Sequence, residues 1–363
     1  MTLEDLGYND RFEKLRKEHH LEDFEIGRVL SEHKERYRVK NEKGEFDAEI
    51  TGNLRFTATC REDFPAVGDW VALVNCEGDF AIIHRVIPRL SLLSRQAVGK
   101  VGETQLIAAN IDCALLVQAV DRDLNTNRLE RYLTICYASK VRPVIVLTKT
   151  DLVEAEKLNE LVAHVKQRVK NTPIFAISNE SKEGYDSIMG LLEKGKTYCL
   201  LGSSGVGKST LMNNLAGKRL MKTTTLSKST NKGRHATSHR ELIVLESGGI
   251  LIDNPGMREI GIIDSAGGLE NTFDRIISFS KKCKFTDCTH THETGCAVRE
   301  AVEQGEIDSK SYANFLKIER ERDHFDRTVA EKRKKEKSFG KMVKNVKNDL
   351  QKISSKHNKG YKK

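Results

Sequence analysis

The stretch LLGSSGVGKSTLMNN, Leu200 to Asn214, joins an apolar strand pattern to a helical one through a glycine-rich turn, and Gly202 to Ser209 fit G-x-x-x-x-G-K-[ST]. Glycines let consecutive backbone N–H groups curl around phosphate oxygens, the helix start adds its positive end, and a lysine brings a full charge. Gly202, Ser203, Ser204, Gly205, Val206, Gly207, Lys208, Ser209 and Thr210 are therefore assigned to phosphate binding. Lys208 is expected on the β and γ phosphates, aiding catalysis by its charge, and the Ser209 hydroxyl on Mg²⁺. About 45 residues further on, LIDNPGM ends another apolar run, with Asp253 suited to the Mg²⁺ shell and the Gly256 N–H to the γ-phosphate. Between them SKSTNKGRHATSHREL is polar and aperiodic, as a switch loop is, and Thr237 is chosen there as the second hydroxyl on the metal.

The elements suited to reading a base stand upstream. VLTKTD ends an apolar run at Asp151, and a carboxylate there accepts from both N1–H and the N2 amino group of guanine, whereas adenine would leave it unpaired. Thr148, Lys149 and Thr150 complete the element, the Lys149 stem lying along the base, with Thr148 where Asn is usual. AIS closes the next run, where Ser178 marks a backbone N–H for guanine O6. In an ordinary GTPase the phosphate loop comes first. Two base elements precede three for phosphate and metal, each at its own strand end, and one circular permutation accounts for the whole order.

A chain of 363 residues accommodates two or three cores. The charged opening, MTLEDLGYNDRFEKLRKEHH, lacks the apolar stretch of a secretory signal, and no run reaches the length of a membrane span, so a cytoplasmic protein is expected. Of the formal charge of +9, residues 332–363 supply 13 Lys and Arg against 2 acids, which leaves the rest of the chain slightly acidic. A cationic segment of that kind attracts polyanions and favours RNA or DNA as partner. Nothing in the sequence asks for an obligate dimer, and a monomer is expected.

From Phe24 to about Arg89, alternating runs such as EIGRVLSE and RYRVKNEKGEFDAEI are separated by turn signals, which predicts a five-stranded Greek-key barrel of OB-like type. After Ala109 the runs IDCALLVQAV, RPVIVLTKTD, TPIFAIS, TYCLLGSS, RELIVLES and GILIDNPG are continuously apolar, with helical segments between several of them. They predict buried parallel strands of a doubly wound sheet, whose ligands sit beyond the strands' carboxyl ends. Beyond about Leu269 the pattern is helical, and REAVEQGEIDSKSYANFLKIERERDHFDRTVAEKRKKEKSFGK reads as one charged helix entering the basic tail. The expected fold is multidomain α/β: a barrel over 1–105, a permuted P-loop domain over 106–268, a metal-binding helical domain over 269–330 and a tail over 331–363.

Five of eight cysteines, Cys60, Cys76, Cys113, Cys136 and Cys199, sit in apolar surroundings and read as small core residues. Cys283, Cys288 and Cys296 are clustered. With His290 they give C-x₄-C-x-H-x₅-C, a Cys₃His set suited to one structural Zn²⁺, with His292 as rival for the imidazole position. So short a domain buries little apolar area, and a metal would contribute to its folding.

TKTD, GSSGVGKST, KGRHATSH, DNPGM and CKFTDCTHTHETGC, in this order behind a barrel, resemble the bacterial ribosome small-subunit-dependent GTPase A family over almost the whole chain. The resemblance implies GTP hydrolysis stimulated by the small ribosomal subunit late in its maturation, with barrel and zinc domain touching rRNA. It also favours His290 over His292. Ala236 and Ser238 stand where members commonly carry Thr, and Met257 where many GTPases carry the Gln that orients water, so hydrolysis by the isolated protein is expected to be slow. His235 is the nearest substitute, either positioning water or touching phosphate or RNA. Two other readings are a P-loop enzyme that phosphorylates a small molecule and an RNA-binding scaffold in which nucleotide is structural.

Overall fold

The computed structural model describes residues 1–33, 36–76, 78–96, 104–121, 124–169, 171–217, 240–253, 267–327 and 331. Gly256, Met257, His235, Ala236, Thr237, Ser238 and the basic tail over 332–363 lie outside them.

A first helix, α1 (Asp10–Glu18), starts at Asn9, whose side chain accepts from the Arg11 N–H. Strands β1 (Glu25–His33), β2 (Arg36–Lys40), β3 (Glu45–Ile50), β4 (Trp70–Asn75) and β5 (Phe80–Val86) follow. They pair in the order β1-β2-β3-β5-β4, and β4 returns to β1, so the sheet closes into the expected five-stranded barrel. Period-2 patterning fills it: Tyr37 and Val39 point inward between exposed Arg36 and Arg38, meeting Val29, Phe46, Ala48, Val71, Leu73 and Ile83. The loop from β3 to β4 holds the short helix α2 (Gly52–Thr57).

A two-stranded ribbon, β6 (Leu92–Gln96) and β7 (Thr104–Ala109), leads to the second sheet. Its strands are β8 (Cys113–Ala119), β9 (Arg142–Thr148), β10 (Ile174–Ala176), β11 (Thr197–Leu201), β12 (Glu241–Val244) and β13 (Ile250–Asp253), ordered β10-β9-β8-β11-β13-β12. On one face lie α3 (Thr126–Ala138) and α4 (Ala155–Arg168), on the other α5 (Tyr185–Met189) and α6 (Lys208–Leu215). Five strands are parallel, as expected. β12 departs from that expectation: it runs antiparallel to β13, as the short loop between them requires, and its outer edge meets barrel strand β1 at Ser31↔Glu241. The barrel and the nucleotide-type sheet thus form one eleven-stranded surface.

One buried side chain fastens that junction. In β1 the positions Ile26, Arg28 and Leu30 face away from the barrel interior, and Arg28 is 1% exposed. Its guanidinium donates to Gly68 O (3.3 Å), Asn110 O (3.4 Å), Thr197 Oγ1 (2.8 Å) and Leu6 O, and it stacks 5.5 Å from the Trp70 ring centroid. The N-terminal segment, the barrel, the linker and the strand leading into the phosphate loop therefore share one donor. Burial pulls the Arg28 pKa down to about 10, which still leaves it charged at neutral pH.

The C-terminal helices α7 (Gly268–Thr272), α8 (Asp274–Ser280), α9 (Ala297–Glu303) and a last one over 309–327 pack on α3. Gly268 approaches α3 so closely that a Cβ there would lie 2.2 Å from Thr134 O. Leu269, Phe273, Ile276, Val298, Phe315 and Ile318 belong to the same apolar cluster as Tyr132, Leu133 and Leu201, so this module is part of the GTPase-type core and does not have to bury a core of its own. The long charged helix expected from 299 onward is two helices. Gly305, at φ 74°, ends α9 with Glu306 N–H on Ala301 O and Gly305 N–H on Val302 O, a left-handed cap that only glycine adopts readily. Cys113, Cys136 and Cys199 are buried as expected; Cys60 and Cys76 are exposed, contrary to that expectation, because the first opens a turn braced by Asp63 and the second lies just beyond the end of β4.

Replacing Arg28 with Met should leave the Asn110 and Leu6 carbonyls and the Thr197 hydroxyl without this donor in a site closed to water, while Gly68 O keeps the Asn110 amide. A loss of about 3 kcal/mol is expected, read as a lowered urea midpoint and faster proteolysis between barrel and sheet.

Candidate nucleotide site and metal cluster

All described nucleotide candidates gather on the carboxyl edge of the parallel strands. β11 ends at Leu201 and the loop turns at once: a Cβ on Gly202 would stand 2.3 Å from Val117 O, and Gly205 and Gly207 take φ of 85° and 94°. Gly207 precedes α6, and Lys208, the first residue of that helix, is buried with Nζ on Gly202 O (2.8 Å) and Ser203 O (2.5 Å). The lysine thus holds its own loop curled, with the first N–H groups of α6 unsatisfied within the helix and available to an anion. Ser209 and Thr210 follow in the first turn, half-buried. Asp253, 2% exposed, ends β13, the parallel neighbour of β11, so a carboxylate and the Ser209 hydroxyl stand on adjacent elements. Hydroxyl and carboxylate oxygens are the hard donors Mg²⁺ prefers.

The upstream elements are tied to this loop by side chains. Thr148 is fully buried, and its hydroxyl donates to Val206 O at 2.6 Å, in the heart of the loop. From the next strand Asn179 donates to Gly207 O (3.1 Å), while Tyr185 OH donates to Asn179 Oδ1 (2.6 Å) and Asn214 of α6 donates to both Asn179 O and Tyr185 OH. A Cβ on Gly207 would sit 2.5 Å from Asn179 Nδ2, which leaves this position to glycine. Asp151 is exposed, with Oδ1 accepting from the buried Ser178 hydroxyl at 2.5 Å, so the two predicted base elements are hydrogen-bonded to each other. Lys149 takes a left-handed turn (φ 61°) and pairs with Asp121 beyond β8 at 2.9 Å. Thr150 is buried behind it. Asn179, Asn214 and Arg128, whose Nη1 donates to Ser203 Oγ at 2.6 Å, were not singled out by sequence reasoning. Asn179 follows AIS directly, which is the signal that points to it.

In the C-terminal module Cys283, Cys288, His290 and Cys296 bring their ligand atoms within 4.8 Å of one another. Zn–S and Zn–N bonds of ordinary length would set tetrahedral edges of about 3.8 Å between sulfurs and about 3.6 Å from sulfur to nitrogen. Here Cys283 Sγ lies 4.0 Å from Cys296 Sγ, and His290 Nδ1 lies 3.6 and 3.5 Å from those two sulfurs. The donor set and spacing fit the ion, with Nδ1 as the ligand nitrogen. Burial lowers the His290 pKa, which keeps the imidazole neutral as a ligand must be. His292 is exposed, its Nδ1 2.8 Å from Thr291 Oγ1, and stands outside the cluster. Hydrogen bonds behind the four ligands fix the loop: Glu293 accepts from the N–H groups of Thr289, Thr291 and His292, and Tyr312 OH donates to His290 O.

The RsgA GTPase family profile matches residues 86–263. A small ribosomal subunit biogenesis GTPase RsgA 1 of Bacteroides thetaiotaomicron is 38% identical, covering 94% of this chain and 95% of its own length; its counterpart from Opitutus terrae is 40% identical over 91% and 92%. Among solved structures, YjeQ from Thermotoga maritima superposes with a TM-score of 0.58 at 28% identity, covering 81% of this chain and 96% of that one. YloQ, described as a circularly permuted GTPase, gives 0.58 at 25%, covering 82% and 95%. With Thr148 and Asn179, upstream in the chain, hydrogen-bonded to the phosphate loop, and with relatives 38% and 40% identical over more than nine-tenths of its length, the chain is a GTP hydrolase of the RsgA GTPase family.

Proposed function

We propose that this protein binds the small ribosomal subunit, assists a late step of its maturation, and hydrolyses GTP faster when seated there, with GTP holding and GDP releasing its grip on rRNA. The observation that carries the nucleotide half is the direct tie from Thr148 and Asn179 to the phosphate loop, which supports one site for base and phosphates. The loop from Gly202 to Thr210 would cradle the phosphates, Lys208 would turn from its loop carbonyls to the β and γ oxygens, and Asp151, held by Ser178, would accept from guanine. Lys149, Thr150 and the N–H groups near Ser178 would wall the base. Ser209 and Asp253, with Thr237, would hold Mg²⁺, which supplies charge neutralisation between the phosphates. Gly256 and His235, on segments flanking β12 and β13, are assigned to the γ-phosphate and to the attacking water.

The partner half rests on charge and on α3. Lys281, Lys282 and Lys284 are exposed on the loop the metal cluster would brace, and Lys284 lies 5.5 Å from the ring centroid of Phe285, itself 44% exposed. Cations beside an open aromatic ring suit an RNA backbone and an unstacked base. The basic tail adds long-range attraction, and the barrel offers a second RNA-facing domain. No helix among the described residues is long and apolar enough to cross a membrane, and the cytoplasm, where subunits mature, is the proposed place of work.

Helix α3 provides the route between the halves. At its start Arg128 holds Ser203 of the phosphate loop. Two residues on, Glu130 (1% exposed) accepts from Arg168 at 3.0 and 2.7 Å, from Ser311 at 2.6 Å and from Asn314 at 2.7 Å, and so binds the last helix. Zinc at Cys283, Cys288, His290 and Cys296 would then set the RNA-facing loop in a fixed relation to α3.

GTP turnover measured with and without purified small subunits tests the whole reading: stimulation by subunits is expected, and subunit binding should be stronger with a non-hydrolysable GTP analogue than with GDP. Equal turnover and equal affinity would contradict it. Asp151→Asn should weaken GTP binding by about 100-fold while improving binding of xanthosine triphosphate, whose 2-carbonyl accepts from the new amide; calorimetry reads both. Chelation of the metal should abolish subunit binding yet leave GDP affinity within a few-fold, because the module's apolar residues stay anchored in the α3 core.

A further inference from the structure

Thr148 stands where GTPases usually carry Asn, and its side chain has nothing left to offer a base. The hydroxyl is fully buried and spends its one proton on carbonyls that only accept, Val206 O at 2.6 Å and Gln118 O at 3.3 Å. An amide lies next to it. A Cβ on Gly207 would sit 3.9 Å from Thr148 Oγ1 and 2.5 Å from Asn179 Nδ2, so hydroxyl and amide flank the same point of the phosphate loop. Asn179 is 8% exposed, and its amide is oriented from both ends. Gly207 O, which can only accept, takes one N–H at 3.1 Å; Tyr185 OH, itself receiving an N–H of Asn214, gives its own proton to Asn179 Oδ1. The second N–H of the Asn179 amide has no partner among the described residues.

The main chain repeats the pattern. Ser178 N–H donates to Glu183 O, those of Glu180 and Ser181 to Ser178 Oγ, that of Lys182 to Ser178 O and that of Glu183 to Ser181 Oγ. Among the described residues only the Asn179 N–H of this turn is unclaimed. One residue thus presents two open donors, directly after the Ser178 that holds Asp151. Guanine carries two acceptors, O6 and N7, on the edge beside the N1–H and N2 amino donors suited to Asp151, whereas adenine keeps N7 but places a donor at position 6. We propose that Asn179 reads the O6 and N7 edge of guanine, main-chain N–H on O6 and side-chain amide on N7, and so supplies the purine contact that Thr148 cannot. The order of groups agrees with the ring. N1, O6 and N7 follow one another around guanine, as Asp151, the Asn179 N–H and the Asn179 amide on Gly207 follow one another toward the phosphate loop. The proposal rests on the reading that Asp151 faces guanine and adds the residue for the other edge. Tyr185 and Asn214 are positioning residues: Asn214 also donates to Asn179 O at 3.1 Å, which ties the purine reader to α6.

The test is calorimetric titration of the full-length protein, as wild type, Asn179→Ala and Asn179→Ser, with GDP, ADP and 7-deazaguanosine diphosphate, in which a C–H group replaces N7. Wild type should bind the 7-deaza compound about tenfold more weakly than GDP, because the amide N–H is left unpaired in a buried place. Asn179→Ala should bind GDP about tenfold more weakly and no longer distinguish it from the 7-deaza compound. Asn179→Ser, whose single O–H can serve Gly207 O but not N7 as well, keeps support for the loop and should lose the distinction too. A side chain that only braced the loops would, on removal, weaken both ligands alike and leave their ratio at the wild-type value, and that result would overturn the proposal. Equal affinity of the wild type for GDP and the 7-deaza compound would overturn it without any substituted protein. Preference for GDP over ADP separates the two readings: if it is kept while the 7-deaza compound binds as well as GDP, the Asn179 contact alone is wrong. If it is lost, the base reading at Asp151 and this proposal go together.

Discussion

In a parallel sheet every strand delivers its carboxyl end to the same edge, and the rest of this molecule follows from that constraint. Chain order is irrelevant to which loops meet there. The loop after β9, proposed to read the base, and the phosphate loop after β11 lie close because only β8 stands between their strands, and one hydroxyl, that of Thr148, closes the gap by bonding Val206 O. Permutation therefore costs the site nothing. Its effect is on what the chain does next: the strand ending in Asp253 leads toward the C-terminal module, which a phosphate-first order would place elsewhere.

That module packs on α3, the barrel continues the nucleotide sheet beyond β12, and the two are joined to it by different physics. The barrel is continuous with it through β1 and β12 and is fastened by Arg28, a cation satisfied by backbone and hydroxyl oxygens and a tryptophan face rather than by an acid. The C-terminal module shares an apolar core with α3 and is fixed by Glu130 and Arg168, a buried ion pair saturated with hydrogen bonds, and by Arg131 with Glu321. Such pairs contribute more to a unique arrangement than to net stability. The four metal-type ligands then order only the loop that the core leaves exposed.

Features governed by local chemistry were legible in the sequence. The phosphate loop, the five barrel strands with their alternation, and the cysteine cluster each follow from residue type at short spacing. His290 against His292 was not settled by spacing alone, and the fold decides it through the left-handed turn at His290 that brings Nδ1 to the sulfurs. What stayed hidden depends on single residues meeting across long separations: Arg28 with Thr197, Glu130 with Asn314, Thr148 with Val206. Arg28 left one trace, a charged residue at a position in EIGRVLSE that shares its face with Ile26 and Leu30. The direction of β12 and the break at Gly305 were missed for a different reason: apolar runs carry no orientation, and a charged helical periodicity survives a short interruption.

The central claim is that loops distant in sequence enclose one guanine nucleotide. Calorimetric titration of the purified protein with GDP, GTP and ATP in the presence of Mg²⁺ tests it most directly. Guanine nucleotides should bind at least about 1,000-fold more tightly than ATP, because the carboxylate at 151 has no partner on adenine. Comparable affinity for ATP would contradict the account.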